Sequence, residues 1–397
     1  MHRLNPSCCG PGEWHQRQLT VVACPQTASG DPRSRRAQQI PHRNTYTTRH
    51  RLREACLGKI PEPKRAVKPL LALTVGWLTS SPQGDTVGDA MRFLVLGAGA
   101  LGGYFGAKLI KGGADVTFLV RPARAAQLQR DGLIVKAQDG EIRTPAKTIQ
   151  QGQLEGTYDV VLLCCKAYDL AGAVNAIAPA IGEQSTILPL LNGVGQIDIL
   201  TRRFGPQRVL GGLTVINVAM MRDGTIQQSE LQINITAIGE LDGRMSSRCT
   251  AIETALESGG LRVHITEDII AGMWMKFFGF ACSATIACLT RSRAGAIASS
   301  DAGASFVSSV IDECMQVFTA EGHSPPSDTV GMVRGIFLQP DSAYGPSLLI
   351  DMENGQPTEG KHTIGDLVGR AGRRGLATPI LNAALCNLQA HEINRRR

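Results

Sequence analysis

The sequence predicts an α/β fold in which a parallel sheet, covered by helices on both faces, is followed by a mainly α-helical region. Three observations support this prediction. A short apolar segment runs into a glycine-rich turn, further continuous apolar segments alternate with helical ones, and strand-like segments give way to helical patterns after about residue 265. Strands that are apolar along their whole length are typical of parallel sheets, because helices cover both of their faces.

The first predicted unit is a strand, a turn, a helix and a second strand within about 30 residues. The first strand is Arg92–Leu96, the helix stops at the glycine pair 112–113, and Asp115–Val120 is the second strand. A GxGxxG fingerprint for dinucleotides requires this context, because a glycine-rich turn alone also closes loops that bind nothing. The turn consists of Gly97, Ala98, Gly99, Ala100, Leu101 and Gly102.

Each glycine of this turn has its own predicted role. Gly97 permits the tight turn, Gly99 lets the backbone approach a pyrophosphate, and Gly102 allows the helix to pack closely on the strand. The phosphates then lie at the positive end of the helix, beside free backbone N–H groups. We therefore predict that these six residues bind a dinucleotide cofactor.

Two further strands extend the predicted sheet. Asp159–Cys165 is continuously apolar, Asp169–Ile181 is predicted to be a helix, and Thr186–Leu191 is a strand that ends at Asn192-Gly193. Lys166 and Asn192 therefore end neighbouring strands at the carboxyl edge of the sheet, where open α/β sheets bind ligands. The alternative for Asn192-Gly193 is an ordinary turn, since this pair tolerates left-handed backbone geometry.

Two domains are predicted, one over residues 91–265 and a mainly helical one over residues 266–397. The second contains the predicted helices Glu267–Cys288, Ala302–Glu321, Ser327–Leu338, Lys361–Gly375 and Pro379–Leu388.

Residues 1–90 differ from the rest in composition. They carry 13 Lys and Arg against 6 Asp and Glu, whereas residues 91–397 carry 28 of each, so the net charge of +7 comes from this segment. They lack helical or alternating periodicity. We predict a basic, mostly disordered leader and hypothesise that Met91 is the true start. The balanced charge elsewhere argues against a nucleic-acid partner, and the apolar stretch Pro69–Leu78 is too short to span a membrane.

Seven cysteines lie after the leader, mostly in apolar runs, and their number is odd. We interpret them as reduced core residues, which indicates a cytoplasmic protein, and we predict no metal site. They are Cys164, Cys165, Cys249, Cys282, Cys288, Cys314 and Cys386.

The end of the second strand favours one nicotinamide cofactor over the other. NAD-selective strands usually end in Asp or Glu, which accepts hydrogen bonds from the ribose 2′-hydroxyl. Here the strand ends in Val120-Arg121-Pro122, and Arg124 follows. Because a guanidinium can pair with a 2′-phosphate, Arg121 predicts NADP(H). The alternative is that Arg121 only solvates a loop.

Several short motifs, in this order, resemble the ketopantoate reductase family over residues 91–390. This resemblance implies a Rossmann-type domain, an all-helical domain, and a substrate in the cleft between them. It also implies NADPH-dependent reduction of 2-dehydropantoate to pantoate on the pathway to pantothenate. The motifs are the turn 97–102, Lys166 after Val161–Cys165, Leu191-Asn192-Gly193-Val194-Gly195, Trp274-Met275-Lys276-Phe277, and Ser347 with Glu359 twelve residues later.

The resemblance also implies roles for five side chains. Hydride delivery to a ketone creates an alkoxide, and Lys276 would donate the proton to it. Lys166 and Asn192 would hold the nicotinamide ribose and orient the keto acid. Glu359 would contact the substrate and position Lys276, and Ser347 would bind the substrate carboxylate. Without the motif around it, Lys276 would be interpreted as a solvated surface charge, as a Lys on a helix usually is. The alternative for Ser347 and Glu359 is that each is a helix-capping or loop residue.

Some positions depart from the family pattern. The family typically has Asn four and eight residues after the catalytic Lys, where this chain has Phe280 and Ala284, and Lys361-His362-Thr363 follows Glu359. Phe280 either faces the cleft or belongs to the core. The substitutes for the lost substrate contacts would be Ser283, Thr285 or His362.

Three functions therefore stay open. The first is reduction of 2-dehydropantoate, the second is NADPH-dependent reduction of a more apolar 2-keto acid, and the third is a non-catalytic NADP-binding regulatory module. In the first two the partner is a small-molecule 2-keto acid, with no nucleic acid and no membrane. A homodimer is left open.

Overall fold

The structure is a computed structural model that describes residues 91–229 and 234–397. These described residues belong to one compact unit. The leader predicted over residues 1–90, and with it the hypothesis that Met91 is the start, lies outside them.

The N-terminal part contains one parallel sheet and two smaller sheets. The parallel sheet has the strand order β5-β2-β1-β6-β7. All four predicted strands are present, although β6 and β7 end before Cys165 and Leu191. The strands are β1 (Arg92–Leu96), β2 (Asp115–Leu119), β3 (Leu133–Ala137), β4 (Gly140–Thr144), β5 (Lys147–Ile149), β6 (Val160–Leu163), β7 (Thr186–Pro189), β8 (Leu210–Ile216), β9 (Val218–Met220), β10 (Ile226–Gln228), β11 (Asn234–Glu240) and β12 (Val263–Ile265).

Alternate residues of β1 enter two separate hydrophobic cores. Phe93 and Val95 pack into one core, whereas Leu94 and Leu96 pack into the other. Both faces of the strand are therefore buried, which explains its continuous apolar sequence. The predicted Rossmann-type parallel sheet is confirmed.

The two smaller sheets were not predicted. One has the order β4-β3-β10-β9 and the other β12-β11-β8, and both mix parallel and antiparallel pairs. Several of these strands have three residues, and β3 pairs with β10 across a long stretch of chain. Such strands owe their stability to partners distant in sequence, so a local pattern does not reveal them.

From residue 266 onward the regular structure is helical, as predicted. The short helices α7 and α10, and α2, α4 and α5 in the N-terminal part, were not predicted, and the boundary at residue 265 stays a prediction. The helices are α1 (Ala100–Lys111), α2 (Pro122–Asp131), α3 (Leu170–Ile177), α4 (Gly195–Phe204), α5 (Ser247–Ser258), α6 (Ile269–Thr290), α7 (Ala294–Ala298), α8 (Gly303–Ala320), α9 (Ser327–Phe337), α10 (Ser347–Glu353), α11 (Ile364–Arg373) and α12 (Pro379–Asn394).

Helix α6 is the central helix of the C-terminal part. It is apolar nearly all round, as expected of a helix enclosed by others, and Phe277, Phe278 and Ala281 are buried in the helical core. Within the described residues it is the one helix long and apolar enough to cross a membrane, but 61% of its most apolar window is buried inside the protein. Val194, which follows β7, belongs to the same core. The sheet region and the helical region therefore pack directly on each other.

The prediction that the cysteines are core residues is wrong for Cys386. All seven are free; four are buried, Cys164 and Cys165 are partly exposed, and Cys386 is exposed. Leu381, Ala384 and Leu388 form the buried face of α12, and the helical period turns Cys386 away from it.

Candidate active site

The glycine-rich turn between β1 and α1 has the geometry that a dinucleotide requires. Gly97 has a left-handed φ of 88°, which favours glycine. A Cβ on Gly102 would lie 2.0 Å from the carbonyl oxygen of Gly97, so only glycine allows this approach of helix to strand. A Cβ on Gly99 would meet nothing within 4 Å. The space beside Gly99, at the uncapped N-terminus of α1, fits a pyrophosphate.

Two arginines lie beside this turn, and their surroundings differ. Arg121 precedes α2, its side chain is 79% exposed, and its Nη2 donates to Oδ1 of Asp169 at 2.7 Å. Arg124 is more enclosed: its Nε donates to the carbonyl oxygen of Ala98 at 2.9 Å, and its Nη1 donates to Oε1 of Gln127 at 2.7 Å. Arg121 therefore pairs across the edge of the sheet, whereas Arg124 braces the turn.

Glu359 joins the sheet region to the helical region. Its Oε1 accepts a hydrogen bond from the backbone N–H of Ala167 at 2.9 Å, and its Oε2 accepts one from Nδ2 of Asn192 at 3.3 Å. The side chain is buried. Lys166 also approaches, with its Nζ 3.8 Å from Oε2 of Glu359. The structure thus brings together three residues that were predicted from separate motifs.

Lys166 has a second carboxylate partner, Asp351, which the sequence analysis missed. The Nζ of Lys166 donates to Oδ2 of Asp351 at 2.9 Å. Burial disfavours the ammonium, yet the carboxylates of Glu359 and Asp351 raise the pKa of Lys166. Asp351 lies one helical turn after Ser347 on α10, so the two share a helix face. That spacing was the signal by which Asp351 could have been found.

Lys276 reaches the same place from α6. It lines a small cavity together with Asn192 and Phe280. Desolvation lowers the pKa of Lys276 to about 8, although the negative charge of Glu359 acts in the opposite direction. A lysine with such a pKa exchanges its proton near neutral pH, as a general acid must.

The departures from the family pattern divide into two groups. Phe280 lines the cavity with Lys276 and also packs against the helical core, so it combines the two alternatives. Ala284 is buried in the packing of α6, as are Ser283 and Thr285, two of the proposed substitutes for the lost amides. Among the proposed substitutes for the lost amides, His362 lies beside the Asn192-Gly193 turn, because its carbonyl oxygen is 3.5 Å from the position of a Cβ on Gly193.

The parallel sheet, the glycine-rich turn and the adjoining lysine–carboxylate cluster define a dinucleotide-binding oxidoreductase. The chain belongs to the ketopantoate reductase family. The family descriptions "Ketopantoate reductase PanE/ApbA" and "Ketopantoate reductase PanE/ApbA C terminal" match residues 93–243 and 268–392. The predicted resemblance and fold class are confirmed.

Individual relatives agree with this membership. The uncharacterized oxidoreductase YkpB of Bacillus subtilis is 35% identical over 307 residues, which cover 77% of this chain and 100% of that protein. A 2-dehydropantoate 2-reductase of Mesorhizobium japonicum is 28% identical, with 68% of this chain and 88% of that protein covered.

Solved structures share the fold. The 2-dehydropantoate 2-reductase of Geobacter metallireducens has a TM-score of 0.68 and 26% identity, covering 76% of this chain and 99% of that one. D-mandelate dehydrogenase with NADH and anilino(oxo)acetate has a TM-score of 0.70 at 20% identity, covering 77% of this chain and 100% of that one. The latter likeness shows the fold alone.

Proposed function

We propose that this protein reduces 2-dehydropantoate to (R)-pantoate with NADPH, as a cytoplasmic enzyme of pantothenate biosynthesis. The observation that carries the proposal is the position of Lys276, in a cavity beside Asn192 and within the field of Glu359. Family membership supports the substrate, and Arg121 at the end of β2 supports the phosphorylated cofactor.

The proposed chemistry needs a proton where negative charge develops. When bound, the cofactor supplies the hydride that is added to the ketone carbon. Lys276 donates its proton to the ketone oxygen, becomes a neutral amine, and regains a proton from solvent. Because its pKa is lowered to about 8, the ammonium predominates at pH 7 and gives up the proton more readily than an exposed lysine.

Glu359 would position the other groups of the site. Its carboxylate is held by the Ala167 N–H, which leaves Oε2 to orient the Asn192 amide. Its charge also counteracts the desolvation of Lys276, which keeps more of the lysine protonated. Lys166 bridges Glu359 and Asp351, and we propose that it contacts the nicotinamide ribose. Ser347, which is exposed at the start of α10, would bind the substrate carboxylate.

A second candidate substrate is a 2-keto acid with a more apolar side chain. The observation that favours it is Phe280, which lines the cavity of Lys276 where the family has an amide. Met273, Phe277 and Leu213 line the same cavity, so its walls are mostly apolar.

Oxidation of NADPH by a panel of 2-keto acids tests the proposal. We expect turnover with 2-dehydropantoate and loss of turnover in Lys276→Met. Preference for an apolar 2-keto acid would favour the second candidate. Tight NADPH binding without turnover of any keto acid would indicate a regulatory module. Size-exclusion chromatography of the same sample tests the homodimer.

A further inference from the structure

Arg121 and Asp169 form an ion pair at the mouth of the predicted cofactor site. Arg121 follows β2, and Asp169 ends a short 3-10 turn, Ala167–Asp169, that follows β6. In the sheet, β2 and β6 lie on either side of β1, whose carboxyl end carries the glycine-rich turn. The pair joins Nη2 of Arg121 to Oδ1 of Asp169 at 2.7 Å, so it spans the edge of the sheet beside that turn.

This edge is where the adenosine half of a dinucleotide binds in sheets of this kind. The Asp169 carboxylate therefore makes, on the Arg121 guanidinium, the charge-assisted bond that a 2′-phosphate would make. Both side chains are exposed, 79% for Arg121 and 38% for Asp169. An exposed ion pair is weak, so a phosphate can displace the carboxylate.

Arg124 is not equally available for the phosphate. Its Nε is bonded to Ala98, and its Nη1 is bonded to Gln127 and to the carbonyl oxygen of Gly224. Its Nη2 has no hydrogen-bond partner but is buried, so a phosphate could reach it only if the side chain moved. Moving it would release the turn and the β9–β10 loop together. Arg121 donates its side-chain hydrogen bond to the exposed carboxylate of Asp169, so it can change partners without that loss.

We propose that Asp169 is a specificity-determining residue that competes with the 2′-phosphate for Arg121. The inference rests on the proposed use of NADP(H). A cofactor with a 2′-phosphate must displace the Asp169 carboxylate from Arg121, and its phosphate then lies near the negative charge of that carboxylate. A cofactor without the phosphate leaves the ion pair intact. Asp169 thus reduces the difference in affinity between NADPH and NADH that Arg121 creates.

The test measures binding of the adenosine half by titration calorimetry. Adenosine 2′,5′-bisphosphate and 5′-AMP serve as probes that differ by the 2′-phosphate. In Asp169→Asn we expect the bisphosphate to bind about two- to fivefold more tightly, because it no longer has to break an exposed ion pair. The affinity for 5′-AMP should stay unchanged. High salt should reduce the gain. In Arg121→Ala we expect weaker bisphosphate binding, and no gain when Asp169→Asn is added.

Arg130 and Asp131 provide a matched control at the other end of α2. Their Nη2 to Oδ2 distance is also 2.7 Å, and their exposures are 69% and 35%. Asp131→Asn should leave both affinities unchanged, and an equal gain in this variant would overturn the proposal by showing a general charge effect. If Asp169→Asn leaves the bisphosphate affinity unchanged, or weakens 5′-AMP, the proposal is also wrong.

The same measurements separate this inference from the cofactor assignment. Weaker bisphosphate binding in Arg121→Ala, without a gain in Asp169→Asn, would overturn the role of Asp169 alone. If Arg121→Ala leaves bisphosphate binding unchanged, the NADP(H) assignment fails and this inference fails with it.

Discussion

At one end of the predicted cleft, Lys276 is half-buried and Glu359 is buried between the sheet region and the helical region. At the other end, Arg121 and Asp169 pair through exposed side chains. Enclosure lowers the pKa of Lys276 to about 8 and gives each oxygen of Glu359 a hydrogen-bond partner. In water, by contrast, the opposite charges of Arg121 and Asp169 attract each other only weakly. The same kinds of groups can therefore serve proton transfer at one end and an easily exchanged contact at the other.

The enclosed end should show the largest effect of a single substitution. Lys276→Met removes the proposed proton donor and keeps the apolar stem, so we expect kcat to fall by at least ~10²-fold while NADPH binding changes little. Steady-state kinetics and calorimetry measure the two quantities. Lys361→Met is the control, since this exposed lysine lies near Glu359 in sequence. Unchanged kcat in Lys276→Met would remove it from the mechanism.

Substitution of Gly99 tests the cofactor end without disturbing the fold. A Cβ there meets nothing within 4 Å and φ is −75°, so Gly99→Ala should leave Tm unchanged. We expect NADPH to bind at least about tenfold more weakly, because the methyl group occupies the pyrophosphate space; tenfold is ~1.4 kcal/mol. Gly102→Ala should instead lower Tm. Unchanged NADPH affinity in Gly99→Ala would place the cofactor elsewhere.

Phe280 tests whether the enclosed end selects an apolar substrate. An unpaired buried amide costs ~1–3 kcal/mol, so Phe280→Asn should lower kcat/KM for an apolar 2-keto acid by about fivefold or more. Its kcat/KM for 2-dehydropantoate should be preserved or improved. Phe280→Leu keeps an apolar wall and should preserve the original preference. A lower Tm with an unchanged substrate ratio would show that the ring only stabilises the fold.

The smallest expected effect is a shift in the pH profile of kcat. Lys276 must be protonated to act as an acid, so kcat should fall as pH rises through about 8. The carboxylate of Glu359 raises the pKa of Lys276, and Glu359→Gln should therefore move this decline to lower pH. Measurement of kcat against pH in both proteins checks the sign. A shift to higher pH in Glu359→Gln would contradict the proposed electrostatic coupling.

The parallel sheet and the long helices could be predicted because their signals are local. The apolar strand β1 is bounded by its own glycine-rich turn, and the apolar residues of α6 continue for its whole length. Lys276, Asn192 and Glu359 were named from motifs that resemble the family. Their roles stay predictions, although the structure brings them to one place. Asp351 was missed because the short helix α10 has no strong periodic signal of its own.

By itself, the sequence determined the α/β class, the glycine geometry of the turn and the identity of the family, because each depends on neighbouring residues or on short motifs. Only the tertiary structure decided which charges meet. Lys166 and Asp351 are 185 residues apart in the chain, and Ala167 and Glu359 are 192 apart. It also decided that Phe280 lines the cavity of Lys276 and that Asp169 pairs with Arg121. Such contacts depend on how the sheet and the helices pack together. The spacing of residues along one segment does not specify that packing.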